Sequence, residues 1–467
     1  GTGPDLERLK FKYQGKNVNH AIGYFANYSK ENSIKFVIKA LIGNAPCIYL
    51  LEPYRNKVNQ YNSQEKRSLW EYKLNLSQLQ INRLMLHIWE MKDIDVKYDF
   101  INHNCVTALL FLMYSADENL YQNNKLFSSP IDLIKDLYKL GYIKKAKIIP
   151  SESYKFRMVE NNLSKHDIKK IKNFINEKNN DIMHLDNDQH RENIFSITKT
   201  VLNDKLVKNK ISNNKYNLLI NRIQNSKSNT VKSNLKYNIK NPLNKSRSSG
   251  ASLSYQNRVM NSGKNENIIN FNIRPVYNSL INDNSDYFNE FELQLMNLES
   301  KYFINNNKIR FDNLDVVKIK NIIPYSKLVG GLSGKIRINL ERETLNDNSK
   351  NLFPNINGGI GLTKSLLTDK LKTYSILNIG YSYFKNINMI YSNPEIGIIY
   401  QQGNLGKLNL SYQKYFTNQR YKYKELLDIE QVIFYKDSID FSASYKIIKS
   451  DLESNFQELS FNYYYYF

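Results

Sequence analysis

QELSFNYYYYF, residues 457–467, is the stretch that decides the fold. Read two by two, Leu459, Phe461, Tyr463, Tyr465 and Phe467 fall on one face, while Ser460 and Asn462 fall on the other. This is the alternation of a β-strand with one apolar and one polar side. The same period runs upstream through KIRINLERE (335–343), KLNLSYQKYF (407–416) and IDFSASYKII (439–448). Turn-rich clusters such as NDNSD (282–286), NNNK (305–308), LNDNSK (345–350) and QQGNLG (401–406) separate these segments. Segments of about ten residues joined by polar turns predict an antiparallel sheet closed into a barrel of about twelve strands. The barrel is expected to cover residues 250–467.

Which face of the barrel is apolar sets its solvent. With Ser460 and Asn462 turned to the lumen, the aromatic face looks outward, as in an outer-membrane barrel. The 35 tyrosines and 22 phenylalanines suit its aromatic girdles. A last strand ending on Phe467 also resembles the assembly signal of bacterial outer-membrane proteins. The soluble alternative that the same alternation allows is a β-sandwich or a lipid-carrying cup.

A chain of 467 residues is too long for one ordinary core, so two or three domains are expected. The two cysteines, Cys47 and Cys105, exclude a disulfide framework or a cysteine-rich zinc site and leave room for one bridge between them. No metal and no cofactor is expected. No run reaches the eighteen or so apolar residues of a membrane-spanning helix. The chain opens GTGPDLERLK, with neither an initiator Met nor a signal-peptide pattern, so sequence upstream of Gly1 is expected.

The formal charge of +22 is concentrated in the middle: residues 141–250 carry about +14 of it. Residues 125–249 alternate Lys/Asn clusters with amphipathic pieces such as SKHDIKKIKNFINEK (164–178) and IFSITKTVLNDKLVK (194–208), which predict helices. NKSRSSGASL (244–253) marks a linker into the barrel. A basic block suits an anionic surface, lipid head groups above all. No helix-turn-helix, zinc-finger or RNA-recognition pattern accompanies it, which argues against nucleic acid as a partner.

Residues 1–124 predict a compact α+β domain. Strand-like runs LKFKYQG (9–15), AIGYFANY (21–28) and SIKFVIKALIG (33–43) come first. A helix follows, with Ser77 as N-cap and Leu79, Leu84, Leu86, Ile88 and Trp89 as its apolar positions. The chemistry is expected at YDFINHNC (98–105), whose last residue, Cys105, begins a second apolar helix. A thiol in a helix's first turn feels unsatisfied backbone N–H groups and the positive end of the dipole, both of which favour thiolate. The plainer role for Cys105 is a small core hydrophobe. A nucleophilic cysteine needs a base. His87 lies inside a helix beside Trp89 and reads as a packed residue. His103 is two residues from Cys105 and suits lining the site. His20, ahead of the run AIGYF, suits a strand histidine opposite a helix-start cysteine.

These residues carry a resemblance. KALIGNAP (39–46), PYRNKVNQYNSQEKRSLWEYKLNLS (53–77), HIWEM (87–91) and YDFINHNC look like the periplasmic N-terminal domain of the Lnb-type lipoprotein N-acyltransferase family. The resemblance runs from about Ala21 to about Leu120, rests on Arg67, Trp70, Glu71, Tyr72, His87, Trp89, Glu90, Asn104 and Cys105, and is looser beyond. It implies a permuted papain-like (NlpC/P60-like) fold for residues 1–124. It also implies a cysteine acyltransferase that moves an acyl chain from phospholipid, through a Cys105 thioester, to the α-amine of a diacylated lipoprotein. Asn104 and His103 would position the oxyanion, beside the backbone N–H of Cys105. The family's Gly-His pair near the domain start has no counterpart near Leu6: its histidine lies upstream of residue 1, His20 substitutes for it as the base, or this copy is inactive, and Cys47 stands where a glycine is expected. The location implied is the bacterial outer membrane with the catalytic domain in the periplasm. Two other readings stay open: a non-catalytic envelope protein binding lipid or a partner, and a peptidoglycan hydrolase of NlpC/P60 type.

Overall fold

The computed structural model describes residues 9–13, 16–26, 39, 45–65, 67–91, 94–98, 104–122, 129–185, 187–226, 239–284, 290–344, 350–367, 369–384, 387–417, 424–436, 438–450 and 455–467. It divides into two compact units, residues 1–155 with 241–244, and residues 156–240 with 245–467.

The first unit is α+β. Strands β1 (Leu9–Tyr13), β2 (Lys16–Ala26), β3 (Ala45–Pro53) and β5 (Asp95–Tyr98) form an antiparallel sheet in the order β1-β2-β3-β5. Strands β4 (Leu69–Leu74) and β6 (Ile143–Ile149) pair separately. The helices are α1 (Tyr54–Asn59), α2 (Gln78–Met91), α3 (Cys105–Tyr114) and α4 (Pro130–Lys139). The expected strand run 33–43 lies outside the described residues, Lys39 excepted.

Ser77 starts α2 as its sequence predicts: its Oγ accepts from the Gln80 N–H at 3.3 Å and its own N–H donates to Gln80 Oε1 at 2.9 Å. The apolar positions divide differently from expectation. Leu84 and Ile88 are buried, but Leu79, Leu86 and Trp89 are exposed. Leu84 and Ile88 are one turn apart on the face that meets the core, and the other three project from the flank away from it. Helix α3 buries Val106, Leu109, Leu112 and Met113, the helical spacing of a single face, in the core that also holds Ile22 and Tyr49. Asp117, just past α3, accepts from Gln80 Nε2 at 2.9 Å and from the Tyr142 hydroxyl at 2.5 Å, tying α2 and the start of β6 to the end of α3.

The second unit holds the basic helices and the barrel. The helices are α5 (Glu152–Glu160), which enters this unit at Phe156, α6 (Lys165–Ile175), α7 (Asp188–Val207) and α8 (Asn213–Asn225). Ser164 and Asp167 form a reciprocal capping box on α6, and Asn187 and Ser212 cap α7 and α8. The lysines stay outside while Ile171, Phe174, Ile194, Phe195, Val201, Leu202, Leu219 and Ile223 close an apolar core. Leu328 and Val329, from the barrel loop 323–332, pack against that core. Lys208 Nζ donates to the Val329 carbonyl at 3.1 Å, and Arg157 to that of Pro324.

The barrel strands are β7 (Gly250–Met260), β8 (Asn265–Arg274), β9 (Val276–Asn278), β10 (Glu290–Phe303), β11 (Lys308–Ile322) and β12 (Ser333–Thr344). They continue as β13 (Lys350–Leu366), β14 (Leu371–Phe384), β15 (Ile387–Ser392), β16 (Glu395–Gln401) and β17 (Lys407–Thr417). Strands β18 (Lys424–Lys436), β19 (Ile439–Ser450) and β20 (Phe456–Tyr466) complete the wall. β8 and β9 are one wall position broken at Pro275, and β15 and β16 are one broken at Pro394, since proline cannot donate to a ladder. That leaves a closed antiparallel barrel of twelve wall strands, sealed by β20 against β7 from Phe456↔Met260 to Tyr466↔Gly250.

In β20 the expected faces are realised: Leu459, Phe461, Tyr463 and Tyr465 are exposed, as is Phe467 beyond it, and Ser460 and Tyr464 are buried. The inversion holds around the barrel. Ile336, Ile356, Ile360, Leu377, Ile379 and Ile396 point outward, while Arg258, Lys320, Asn339, Lys372, Asn378, Glu395 and Lys407 are buried inside. At the seam, Arg258 Nη2 meets Glu458 Oε2 at 2.6 Å across directly paired positions.

Candidate active site

Cys105 is the first residue of α3, and Asn104 holds it there. Asn104, extended at φ −91° and ψ −176°, accepts through Oδ1 from the N–H of Val106 at 2.9 Å and of Thr107 at 3.2 Å. Its carbonyl accepts from the Thr107 hydroxyl at 3.0 Å and from the Ala108 N–H at 3.0 Å. This is an N-cap of the strongly preferred type, and it commits the Asn104 side-chain oxygen to the helix start. Tyr49 of β3 fastens the next turn, donating to the Ala108 carbonyl at 3.1 Å.

The Cys105 thiol is half-buried against the core that contains Ile22, Tyr49, Val106 and Leu109. Burial pushes its pKa above the ordinary cysteine value, and the backbone N–H groups of Cys105 and Val106 pull it down by less. Burial thus works against the helix-start thiolate expected from the sequence. Desolvation in an apolar core outweighs the dipole, so the thiol is poised to need a base.

His20 is half-buried on β2, opposite Pro53 of β3 and Leu9 of β1. By strand alternation it shares a face with Ile22 and Tyr24, both of which pack with the core that Cys105 joins. His103 lies outside the described residues. His87 is a packed helix residue, with its ring 5.2 Å from that of Phe111 and Nδ1 3.3 Å from Glu90 Oε2.

Cys47 and Cys105 are both free thiols, so the bridge that the sequence left open is not formed. Cys47, fully buried on β3, is pushed up to about 11 by burial, which the bond to Tyr24 only partly offsets. The Tyr24 and Tyr49 rings lie 5.1 Å apart, and burial pushes the Tyr49 hydroxyl up to about 12.

Sequence reasoning missed Lys57, which is buried in α1 and pairs with Glu52 Oε1 at 2.7 Å and Gln60 Oε1 at 3.0 Å. Tyr54 of the same helix donates to Glu71, which gives the WEY segment a structural partner. Nothing in the run YRNKVN distinguishes a buried lysine from a solvated one. Among the described residues, no cluster of three or more His, Cys, Asp or Glu side chains could hold a metal ion.

A closed barrel with aliphatic residues outward and ion pairs inward, following an α+β unit, defines an outer-membrane barrel protein with a periplasmic domain. Residues 7–139 match the Lnb N-terminal periplasmic domain. Residues 240–466 match a domain of unknown function, DUF7840. No curated protein matches the chain. Solved structures similar to the barrel include an outer membrane channel from Pseudomonas putida F1, at 9% identity and a TM-score of 0.32, covering 50% of this chain and 98% of that one. LpxR from Salmonella typhimurium is similar at 8% identity and a TM-score of 0.28, covering 46% and 100%. A loop-deletion mutant of OmpT from Vibrio cholerae is similar at 8% identity and 0.26, covering 47% and 98%.

Proposed function

We propose that the first unit is a cysteine acyltransferase acting on lipids of the outer membrane, with phospholipid as acyl donor and a diacylated lipoprotein as acceptor. One observation carries this reading: Cys105 sits at a capped helix start, packed against a core that the His20-bearing strand β2 joins through Ile22, within a segment that matches the Lnb N-terminal periplasmic domain. In the first half-reaction His20 takes the thiol proton and Cys105 Sγ attacks the ester carbonyl. The tetrahedral oxyanion is met by the Cys105 backbone N–H, with His103 lining the site. The C–O bond then breaks, the lysophospholipid oxygen takes a proton, and an S-acyl thioester remains. In the second half-reaction the lipoprotein α-amine attacks the thioester, loses a proton, and expels the thiolate as the amide forms. Asn104 acts as a positioning residue, because its side-chain oxygen is spent on the helix start.

A raised thiol pKa supports a second reading, in which the unit binds lipid or a partner without turnover. Incubating the protein with phospholipid and a diacylated lipoprotein separates the two. The first predicts a triacylated product by mass spectrometry that disappears in Cys105→Ser. No acyl gain, or an equal gain with Cys105→Ser, would leave the second standing.

A further inference from the structure

We infer that the barrel is a sealed anchor rather than a pore, and that residues 279–284 are its seal. After β9 the chain leaves the wall and crosses the lumen near the end of the barrel where Gly250 enters. The run SLINDN is buried at Ser279, Leu280, Ile281 and Asn284. NDNSD separates two strands, as its composition predicts, and of its described residues Asn284 is buried while Asn282 and Asp283 are half-buried.

Its two apolar residues face opposite walls. Leu280 clusters with Ile322 of β11, Tyr374 and Ile376 of β14 and Ile399 of β16. Ile281 clusters with Val432 of β18 and with Tyr464 and Tyr466 of β20, beside Tyr277. These apolar wall residues gather at the level of the segment that touches them. Gly397 lets the Tyr374 ring lie flat against the wall there, since a Cβ at that position would sit 2.3 Å from Tyr374 Cζ.

Polar contacts latch the segment in place. Lys407, fully buried on β17, donates to the Leu280 carbonyl at 2.9 Å, to the Asn282 carbonyl at 2.5 Å and to Glu290 Oε2 at 2.9 Å. Glu290 also receives Lys372 Nζ at 3.1 Å and Asn284 Nδ2 at 3.0 Å. On the far wall Asn282 Nδ2 donates to the Tyr466 hydroxyl at 3.2 Å, which donates to Asp440 at 3.0 Å. A buried ammonium with three oxygen partners holds its ligands firmly, because releasing them would leave a charge unpaired. Backbone carbonyls held by a wall lysine mark the segment as part of the barrel's interior rather than a loop resting at its rim.

The test is ion conductance of the full-length protein in a planar lipid bilayer. The wild type is expected to be silent. Lys407→Gln with Glu290→Gln, which preserves side-chain volume while removing the latch charges, is expected to raise the frequency of conducting events by about tenfold or more. Leu280→Gly with Ile281→Gly, which removes the apolar filling, is expected to do the same. Heat-modifiable gel mobility reports whether each variant is folded. Steady pore-sized steps from the wild type overturn the proposal. So does silence from folded forms of both variants, because another element must then close the lumen. If the latch variant does not fold, the wild type and the glycine variant decide.

Discussion

The two units bury opposite kinds of side chain. In the first, the interior around α3 is Ile22, Tyr49, Leu84, Ile88, Leu109 and Leu112. In the barrel the buried residues include Arg258, Glu290, Lys320, Glu395 and Lys407, and the exposed ones are leucines, isoleucines and aromatics. The backbone obeys one set of rules in both, so the inversion comes from the solvent. Water surrounds the first unit, and hydrocarbon surrounds the barrel wall. It also separates two meanings of exposure. Leu86 is 68% exposed and Ile360 is 69% exposed, yet one is a tolerated surface leucine and the other faces lipid.

The contrast breaks most sharply at the lumen's buried ion pairs. Glu290→Ala leaves Lys372 and Lys407 without their carboxylate, and urea titration in lipid vesicles is expected to show a loss of about 3–5 kcal/mol. Next come the matched exposed residues. Ile360→Arg is expected to cost about 2–4 kcal/mol in a bilayer, whereas Leu86→Arg stays within about 0.5 kcal/mol in the same titration. Equal effects at both positions would contradict the assignment of lipid to the barrel's outer face.

How much of this was legible in the sequence follows the same division. A membrane barrel writes its faces into every second residue, so QELSFNYYYYF and IDFSASYKII disclosed strand, register parity and lumen side together. Pro275 and Pro394 broke two wall positions without changing the count. Residues 279–284 were not legible, because a turn-like composition describes a polar segment equally well on a rim or folded into a polar lumen. In the first unit Ser77 announced its helix by local chemistry, whereas Asn104 was read as an oxyanion-positioning residue and its role as the α3 cap was not. The burial of Leu84 but not Leu86 did not show, since both sit in an apolar helix and only the packed sheet chooses between them. The state of the Cys105 thiol was hidden for a related reason: the helix start is local, but the desolvation that overrides it comes from residues distant in the chain.

Smaller effects sharpen the picture within the first unit. Asn104→Ala removes the α3 cap and is expected to cost about 1 kcal/mol by chemical denaturation. Acyl transfer should fall further than that loss explains, because Cys105 is no longer held at the first turn. Cys47 supplies a pH signature. Its folded pKa is raised from the ordinary 9.0 to about 11, so its contribution is complete below 9.0 and is lost as pH rises toward 11. Cys47→Ala should flatten that part of the stability profile, and an unchanged alkaline slope would show that Cys47 does not titrate there.

The most direct measurement is of the thioester itself. The wild-type protein, mixed with phospholipid vesicles in the absence of lipoprotein, is digested and the peptide bearing Cys105 is weighed. The account predicts one acyl chain on that peptide, removed by neutral hydroxylamine and discharged when a diacylated lipoprotein is added. Triacylated lipoprotein forming while Cys105 stays unmodified, or forming equally with Cys105→Ser, would contradict it.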